Sequence, residues 1–290
     1  MEYILHLLIL IGIYTMLSQS LSLSVGYGGM ISLAHAGFYG IAAYTSALLS
    51  INYQLTYLVT LLASMLFCGL FAIIISTISM RTVDSYFIIC TLGIQVIFFT
   101  ILYNWVPVTG GGDGIPGIPN ISIFGINIES RLTFFVLTLI CSALIYYILK
   151  RLIMSSFGRT LRALKEDEIY AQSICKNVHI SKVIAFTISA MLASIPGTLY
   201  AHYISFIDPS SFTLNESIFI FSIVIISGTK NLQGCILASC ILVLLPEGLR
   251  FIGIPSALAA NIRQIIYGSM LVFMMFFRCY NLKLNYIKNK

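Results

Sequence analysis

The stretch "GRTLRALKEDEIYAQSICKNVHISK" (158–182) holds eight of the charged side chains in a chain with 16 Lys and Arg and 10 Asp and Glu. Lys150 and Arg151 stand just before it. The rest is apolar: 59% of residues are hydrophobic, 9% are charged, and the mean hydropathy is +0.97. A soluble domain carries about 25% charge. Apolar runs near the length that crosses a bilayer of about 30 Å as helix recur on both sides of the charged stretch. The chain therefore reads as an all-α, polytopic helical membrane protein, a single transmembrane domain over 1–290. No polar stretch is long enough for a separate soluble domain.

Working outward, the apolar runs fall at 3–24, 31–50, 57–79, 86–105, 132–149, 182–203, 213–227, 235–251 and 262–278. That predicts about eight to nine transmembrane helices, with Gly-broken segments near 26–34 and 228–234. The first run reads as a membrane helix rather than a cleaved leader, because it lacks a basic start and a small-residue cleavage site. If connections alternate sides, Arg81, Lys150, Arg151, Arg159, Arg162, Lys165, Lys176, Lys182, Lys230, Arg278, Lys283, Lys288 and Lys290 share one side. Only Arg131, Arg250 and Arg263 face the other. Basic residues mark the cytoplasmic side. The loop 150–182 and the C-terminal tail are thus expected in the cytoplasm, and 106–131 and 204–216 outside. The net charge of +6 is spent on topology, and no basic surface is left for nucleic acid.

Within the charged stretch, Phe157, Leu161, Leu164, Ala171 and Cys175 make one apolar stripe at helical spacing, which predicts a helix over 157–175 interrupted at Glu168. A helix of this size is marginal alone in water and needs something to pack on. Lipid headgroups are one candidate and a cytoplasmic protein another. The triplet Glu166-Asp167-Glu168 favours protein, since anionic lipid repels it.

"LSLSVGYGGMISLAHAGFYGIAAYTSALL" (21–49), "TGGGDGIPGIP" (109–119), the run from Gly158 to Ile218 and "SGTKNLQGCILASCILVLLPEGLR" (227–250) together resemble permease subunits of branched-chain amino acid ABC importers, the LivM-like half. The resemblance implies a bacterial inner-membrane permease moving a small neutral or zwitterionic solute by alternating access; related permeases serve urea and short amides. It implies two ATP-hydrolysing cassette subunits, a second homologous permease, and a periplasmic or lipid-anchored substrate-binding protein. ATP would be used by the partner, with no cofactor or metal on this chain. The charged helix then looks like a coupling helix that docks on the ATPase, through Arg159, Arg162, Glu166, Asp167, Glu168 and Ala171. Two departures stand out: Cys175 replaces the glycine expected at the helix end, and Lys230 sits between Gly228 and Gly234.

"GYGGMISLAHAGFYG" (26–40) has five glycines in an apolar region. Irregular backbone survives at membrane depth only where protein buries it or it lines a cavity, so Gly26, Gly28, Gly29, His35, Gly37 and Tyr44 are candidate pathway residues. Close helix packing is the alternative for the glycines. "VTGGGDGIPGIP" (108–119) lacks the G-K-[ST] of a phosphate loop. Its G-x-G-D resembles an intramembrane protease motif, but a second carboxylate is missing nearby. Gly111, Gly112 and Asp113, with Asp208 in the next outer loop, are expected to face a docking partner. His202 reads as part of an interfacial aromatic belt. No H-E-x-x-H, G-x-S-x-G or C-x-x-C occurs, so a membrane enzyme is disfavoured. An ion-coupled transporter needs a carboxylate within the spans, and the apolar runs hold essentially none.

Overall fold

The computed structural model describes the chain except residues 1, 81–83, 124–125, 129, 168–170, 172–176, 229, 252–264, 267, 270–271 and 274–290. The helices are α1 (Glu2–Ser22), α2 (His35–Tyr53), α3 (Tyr57–Ser79), α4 (Asp84–Asn104), α5 (Val106–Thr109), α6 (Arg131–Met154), α7 (Ser156–Glu166), α8 (Val178–Ile204), α9 (Leu214–Ser227) and α10 (Leu232–Phe251). A π-helical turn, Leu23–Tyr27, extends α1. The described residues also include 3-10 turns at Gly111–Asp113 and Pro209–Phe212 and two short antiparallel pairs, β2 (Ser122–Ile123) with β3 (Ile126–Asn127), and β1 (Ile115–Pro116) with β4 (Phe206–Ile207).

Among the described residues, five segments are long and apolar enough to cross a membrane: Glu2–Tyr27, α3, Tyr86–Asn104, α6 and α8. The all-α polytopic reading holds. Helix α2 supplies a further 19 residues, and α9 and α10 are shorter apolar helices. The expected last run, 262–278, lies almost wholly outside the described residues.

Side-chain contacts sort the helix ends. At one end Arg131 pairs with Glu2 at 3.3 Å, His6 meets Tyr203 at 2.7 Å and Tyr3 bonds Glu247. At the other, the Tyr27 hydroxyl donates to the Lys230 carbonyl at 2.6 Å and Glu166 lies 3.8 Å from Lys230. Lys150, Arg151, Arg159, Arg162, Lys165 and Lys230 gather at this second, basic end, as the alternation of connections predicts.

Helices α1, α2 and α3 run opposite in sense to α8, α9 and α10. Helix α8 packs on α2 and α3 as α1 packs on α9 and α10, the pattern of an inverted repeat. Gly197 lets α8 close on α2: a Cβ there would meet the Tyr39 carbonyl and the Ala42 methyl below 3 Å. The lipid-side stripe of α3 is legible at a spacing of four, with Leu62, Leu66, Leu70, Ile74 and Ile78 all exposed.

Two non-helical segments enter the bundle from opposite ends. Residues 28–34 leave the basic end and climb to His35, whose Nε2 lies 3.0 Å from Ser20 Oγ, two turns before Tyr27 at the end of the π turn. The predicted run therefore begins at 35 rather than 31. Residues 205–213 fold back from the opposite end: the Tyr200 hydroxyl donates to Ser211 at 3.3 Å, and the Phe212 ring packs on Tyr39. This corrects the expectation of a plain outer loop over 204–216. Helix α9 has 14 residues, about 21 Å, so it starts well inside a core of about 30 Å.

Gln95 clasps the two segments. It is fully buried near the middle of α4; its Oε1 accepts the Gly37 N–H at 2.6 Å, and its Nε2 donates to the Phe212 carbonyl at 2.8 Å. Beside it, the Ser217 hydroxyl accepts the Ala36 N–H at 3.1 Å and Thr91 accepts that of Leu33 at 3.2 Å. Gln95→Leu orphans the Phe212 carbonyl, at a cost of about 1–3 kcal/mol, and leaves the Gly37 N–H with the Ala34 carbonyl alone. Its thermal midpoint in detergent is expected to drop by several degrees, while Thr100→Val, at an exposed site on the same helix, leaves the midpoint unchanged. Equal midpoints for the two variants would remove the clasp.

Candidate functional site

At the basic end, α7 packs against α6, α8 and the π turn that follows α1. Ser155 turns the chain between α6 and α7. Leu161 and Leu164 are buried and Phe157 packs against the core, as the apolar stripe predicts. Helix α7 stops at Glu166, and Asp167 is extended at φ −156° and ψ 112°, one residue before the expected interruption at Glu168; beyond it only Ala171, which is helical, lies among the described residues of 168–176. Consecutive carboxylates oppose the negative end of a helix dipole, which accounts for the stop.

The expected docking residues divide. Arg159, Glu166 and Asp167 are exposed. Arg162 is committed to the fold, because its Nη2 donates to the Ile153 carbonyl at 2.7 Å and caps α6. Ala171 is buried. Glu168 and Cys175 lie outside the described residues. Lys165, absent from the predicted set, reaches the end of α1 and donates to the Gly26 carbonyl at 2.5 Å.

The expected pathway residues sit mostly in packed interior. Gly26, Gly28, His35, Gly37 and Tyr44 are buried, whereas Gly29 is exposed at φ +74°. His35 Nδ1 and the Tyr44 hydroxyl have no hydrogen-bond partner among the described residues. Gln95, which sequence reasoning passed over, joins this group. Its signal was a lone amide inside the apolar run 86–105. Glu216 was expected outside. The fold-back of 205–213 carries it to the level of Tyr14, whose hydroxyl donates to Glu216 Oε2 at 3.2 Å. Tyr14 is itself about halfway along Glu2–Tyr27.

The end away from the basic residues is an open mouth. A cavity of about 410 Å³ is lined by Ser50, Gln54, Tyr57, Pro119, Asn120 and His202. A second, of about 300 Å³, shares His202 and Asn120 and adds His6, Arg131 and Tyr203. His202 is a buried hub rather than an interfacial belt residue. Its Nδ1 lies 2.7 Å from the Pro119 carbonyl, which can only accept, so Nδ1 carries the proton and Nε2 accepts from the Ser46 hydroxyl at 2.9 Å. Gly112 and Asp113 are exposed and Gly111 is buried. Asp208 is half-buried, and its carboxylate accepts the hydroxyls of Ser210 and Ser211, so it serves its own turn. Among the described residues no three His, Cys, Asp or Glu side chains come together to hold a metal.

The arrangement is a helical bundle with two non-helical segments entering it, a polar mouth at one end and an amphipathic helix at the other. A family profile described as "Branched-chain amino acid transport system / permease component" matches residues 3–275. The chain is 32% identical over 92% of its length to the high-affinity branched-chain amino acid transport system permease protein LivM of Escherichia coli (strain K12), and it spans 66% of that relative. Identity and coverage are the same for LivM of Salmonella typhimurium. The probable branched-chain amino acid transport permease protein LivM of Methanocaldococcus jannaschii is 25% identical over 79% of this chain and 76% of its own length. No solved structure matches the chain. Matched along nearly its whole length, the chain belongs to the family of permease components of branched-chain amino acid transport systems.

Proposed function

We propose that this chain is a transmembrane permease subunit of an ABC importer and carries branched-chain amino acids across the bacterial inner membrane by alternating access. The observation that carries the reading is α7: an amphipathic helix, exposed through Arg159, Glu166 and Asp167, held at the basic end of an otherwise apolar bundle. The basic end is the cytoplasmic one. There α7 docks on an ATP-hydrolysing subunit, which binds it differently in its two states and so biases a two-state bundle.

A substrate-binding protein delivers solute to the opposite mouth and docks on the exposed Gly112 and Asp113. A second related permease completes the membrane pair and covers exposed apolar helix faces. The movable parts are residues 28–34 and 205–213. They enter from opposite sides and meet at Gln95, so loosening one while the other holds opens one side at a time. The substrate assignment rests on the names of the LivM relatives.

Glu216 favours a second reading, an ion-coupled transporter, because a carboxylate at membrane depth is what ion coupling uses. Energy supply separates the two. Uptake by the importer falls when ATP is depleted and survives an ionophore, and the reverse holds for ion coupling.

Purified from its membrane in mild detergent, the chain is expected to bring nucleotide-binding subunits and a second permease, identified by mass. Arriving alone in several detergents would overturn the importer. Arg159→Cys should react with an impermeant thiol reagent from the cytoplasmic side alone, and Asp113→Cys from outside alone. The opposite labelling would invert the topology. Gly29→Leu, at a positive φ and against the Lys165 stem, should abolish uptake while the complex stays assembled. Unchanged uptake would reduce Gly29 to packing.

A further inference from the structure

Helix α1 ends without a cation of its own. Neither its last turn nor the π-helical turn Leu23–Tyr27 carries a basic residue, although the carbonyls there form the negative end of the helix dipole. Two are met from the chain that follows: Gly28 N–H donates to the Leu23 carbonyl at 3.0 Å and Met30 N–H to that of Ser24 at 2.9 Å. The next two, Val25 and Gly26, are met by Lys165 of α7, whose Nζ lies 3.5 Å and 2.5 Å from their oxygens.

The Lys165 stem is seated as well. Gly29 turns at φ +74°, and a Cβ there would come within 3.2 Å of Lys165 Cγ. Ammonium and stem thus grip both sides of the point where the inner re-entrant segment leaves α1. A π turn with an expanded hydrogen-bond pattern is a place where a helix end can yield.

The other α7 charges make different contacts. Arg162 bonds the carbonyl of Ile153, on the helix that precedes α7 in sequence. Glu166 and Lys230 stand 3.8 Å apart with both side chains at least half exposed, where ion pairs contribute little. The Lys165 contact is short, charge-assisted and partly shielded.

We infer that Lys165 is the positioning residue that transmits displacement of α7 to the inner re-entrant segment 28–34, and through Gly37 to the Gln95 clasp. The inference rests on the importer reading above, and it adds the residue through which docking becomes gating. When the ATPase shifts α7, the ammonium draws the Val25 and Gly26 carbonyls with it. Gly29 and the segment beyond then move relative to Thr91 and Gln95.

The test uses the complete transporter in vesicles, with solute accumulated and ATP hydrolysed measured on one preparation. Lys165→Met keeps the stem against Gly29 and removes the charge; Lys165→Arg keeps a cationic donor. Lys165→Met should assemble with its ATPase and hydrolyse ATP, while solute moved per ATP falls about tenfold or more, the scale of one lost charge-assisted hydrogen bond. Lys165→Arg should recover most of the ratio, which a purely steric role would not allow.

A wild-type ratio in Lys165→Met overturns the tie and leaves the importer standing. Loss of the ATPase from both variants makes Lys165 a docking contact and also overturns it. A wild-type complex without an ATPase subunit removes both readings together. If Lys165→Met does not accumulate, Gly29→Ala probes the tie from the other side: the same fall in ratio is expected, and a wild-type ratio overturns it.

Discussion

Inside a bilayer an amide without a partner has no water to turn to, and residues 28–34 and 205–213 carry non-helical backbone toward mid-depth. Everything else in this bundle answers that constraint. Gln95 meets one N–H and one carbonyl, Ser217 and Thr91 meet two more N–H groups, and Ser32 meets that of Ala34. These partners come from α4, α9 and the segment itself. A handful of polar side chains thus serve the backbone where helix geometry fails, while most other buried Ser and Thr bond carbonyls of their own helices. The lipid-facing stripe of α3 is left to Leu and Ile.

The two breaks belong to opposite halves of an inverted arrangement, so each half supplies what the other lacks. Helix α2 starts at an Ala N-cap that offers no side-chain cap of its own. Its first N–H groups are capped in trans by Gln95 and Ser217. Helix α1 ends without a cation and takes one from α7. Helix ends satisfied from elsewhere can be released by moving that elsewhere, whereas an end capped by its own neighbour moves with the helix as a rigid piece.

What the sequence made legible follows from which terms are local. Apolar runs and the one-sided distribution of Lys and Arg depend on transfer free energy summed over a segment, and they foretold the helices and the basic end. The glycines of 26–40 announced a break correctly, and the break is 28–34. The fold-back of 205–213 was hidden. Asp208-Pro209-Ser210-Ser211 reads as an ordinary outer turn, and only distant partners, Gln95, Tyr39 and Tyr200, draw it inward. Glu216 was misplaced for that reason. In the helix expected over 157–175, the observed break at Asp167 falls one residue from the interruption expected at Glu168, and beyond it only Ala171, which is helical, lies among the described residues. Asp208 looked like a surface docking charge, and Arg162 like a docking cation, because a sequence does not show which charges are already in use.

Helix α9 is too short to span the core unaided, and the chain leading into it is polar. A translocating machine handling this segment by itself would meet a poor membrane helix with a carboxylate in its first turn. The groups on α2 and α4 that hold it and the chain leading into it are made earlier in synthesis, and its packing partner α10 follows it directly. Biogenesis therefore has an imposed order: the first four membrane helices must already be assembled as a receptor for the α9–α10 hairpin. A defect at Gln95 would then surface as an inserted but unfinished protein, open to quality-control proteolysis, before any transport could be asked of it.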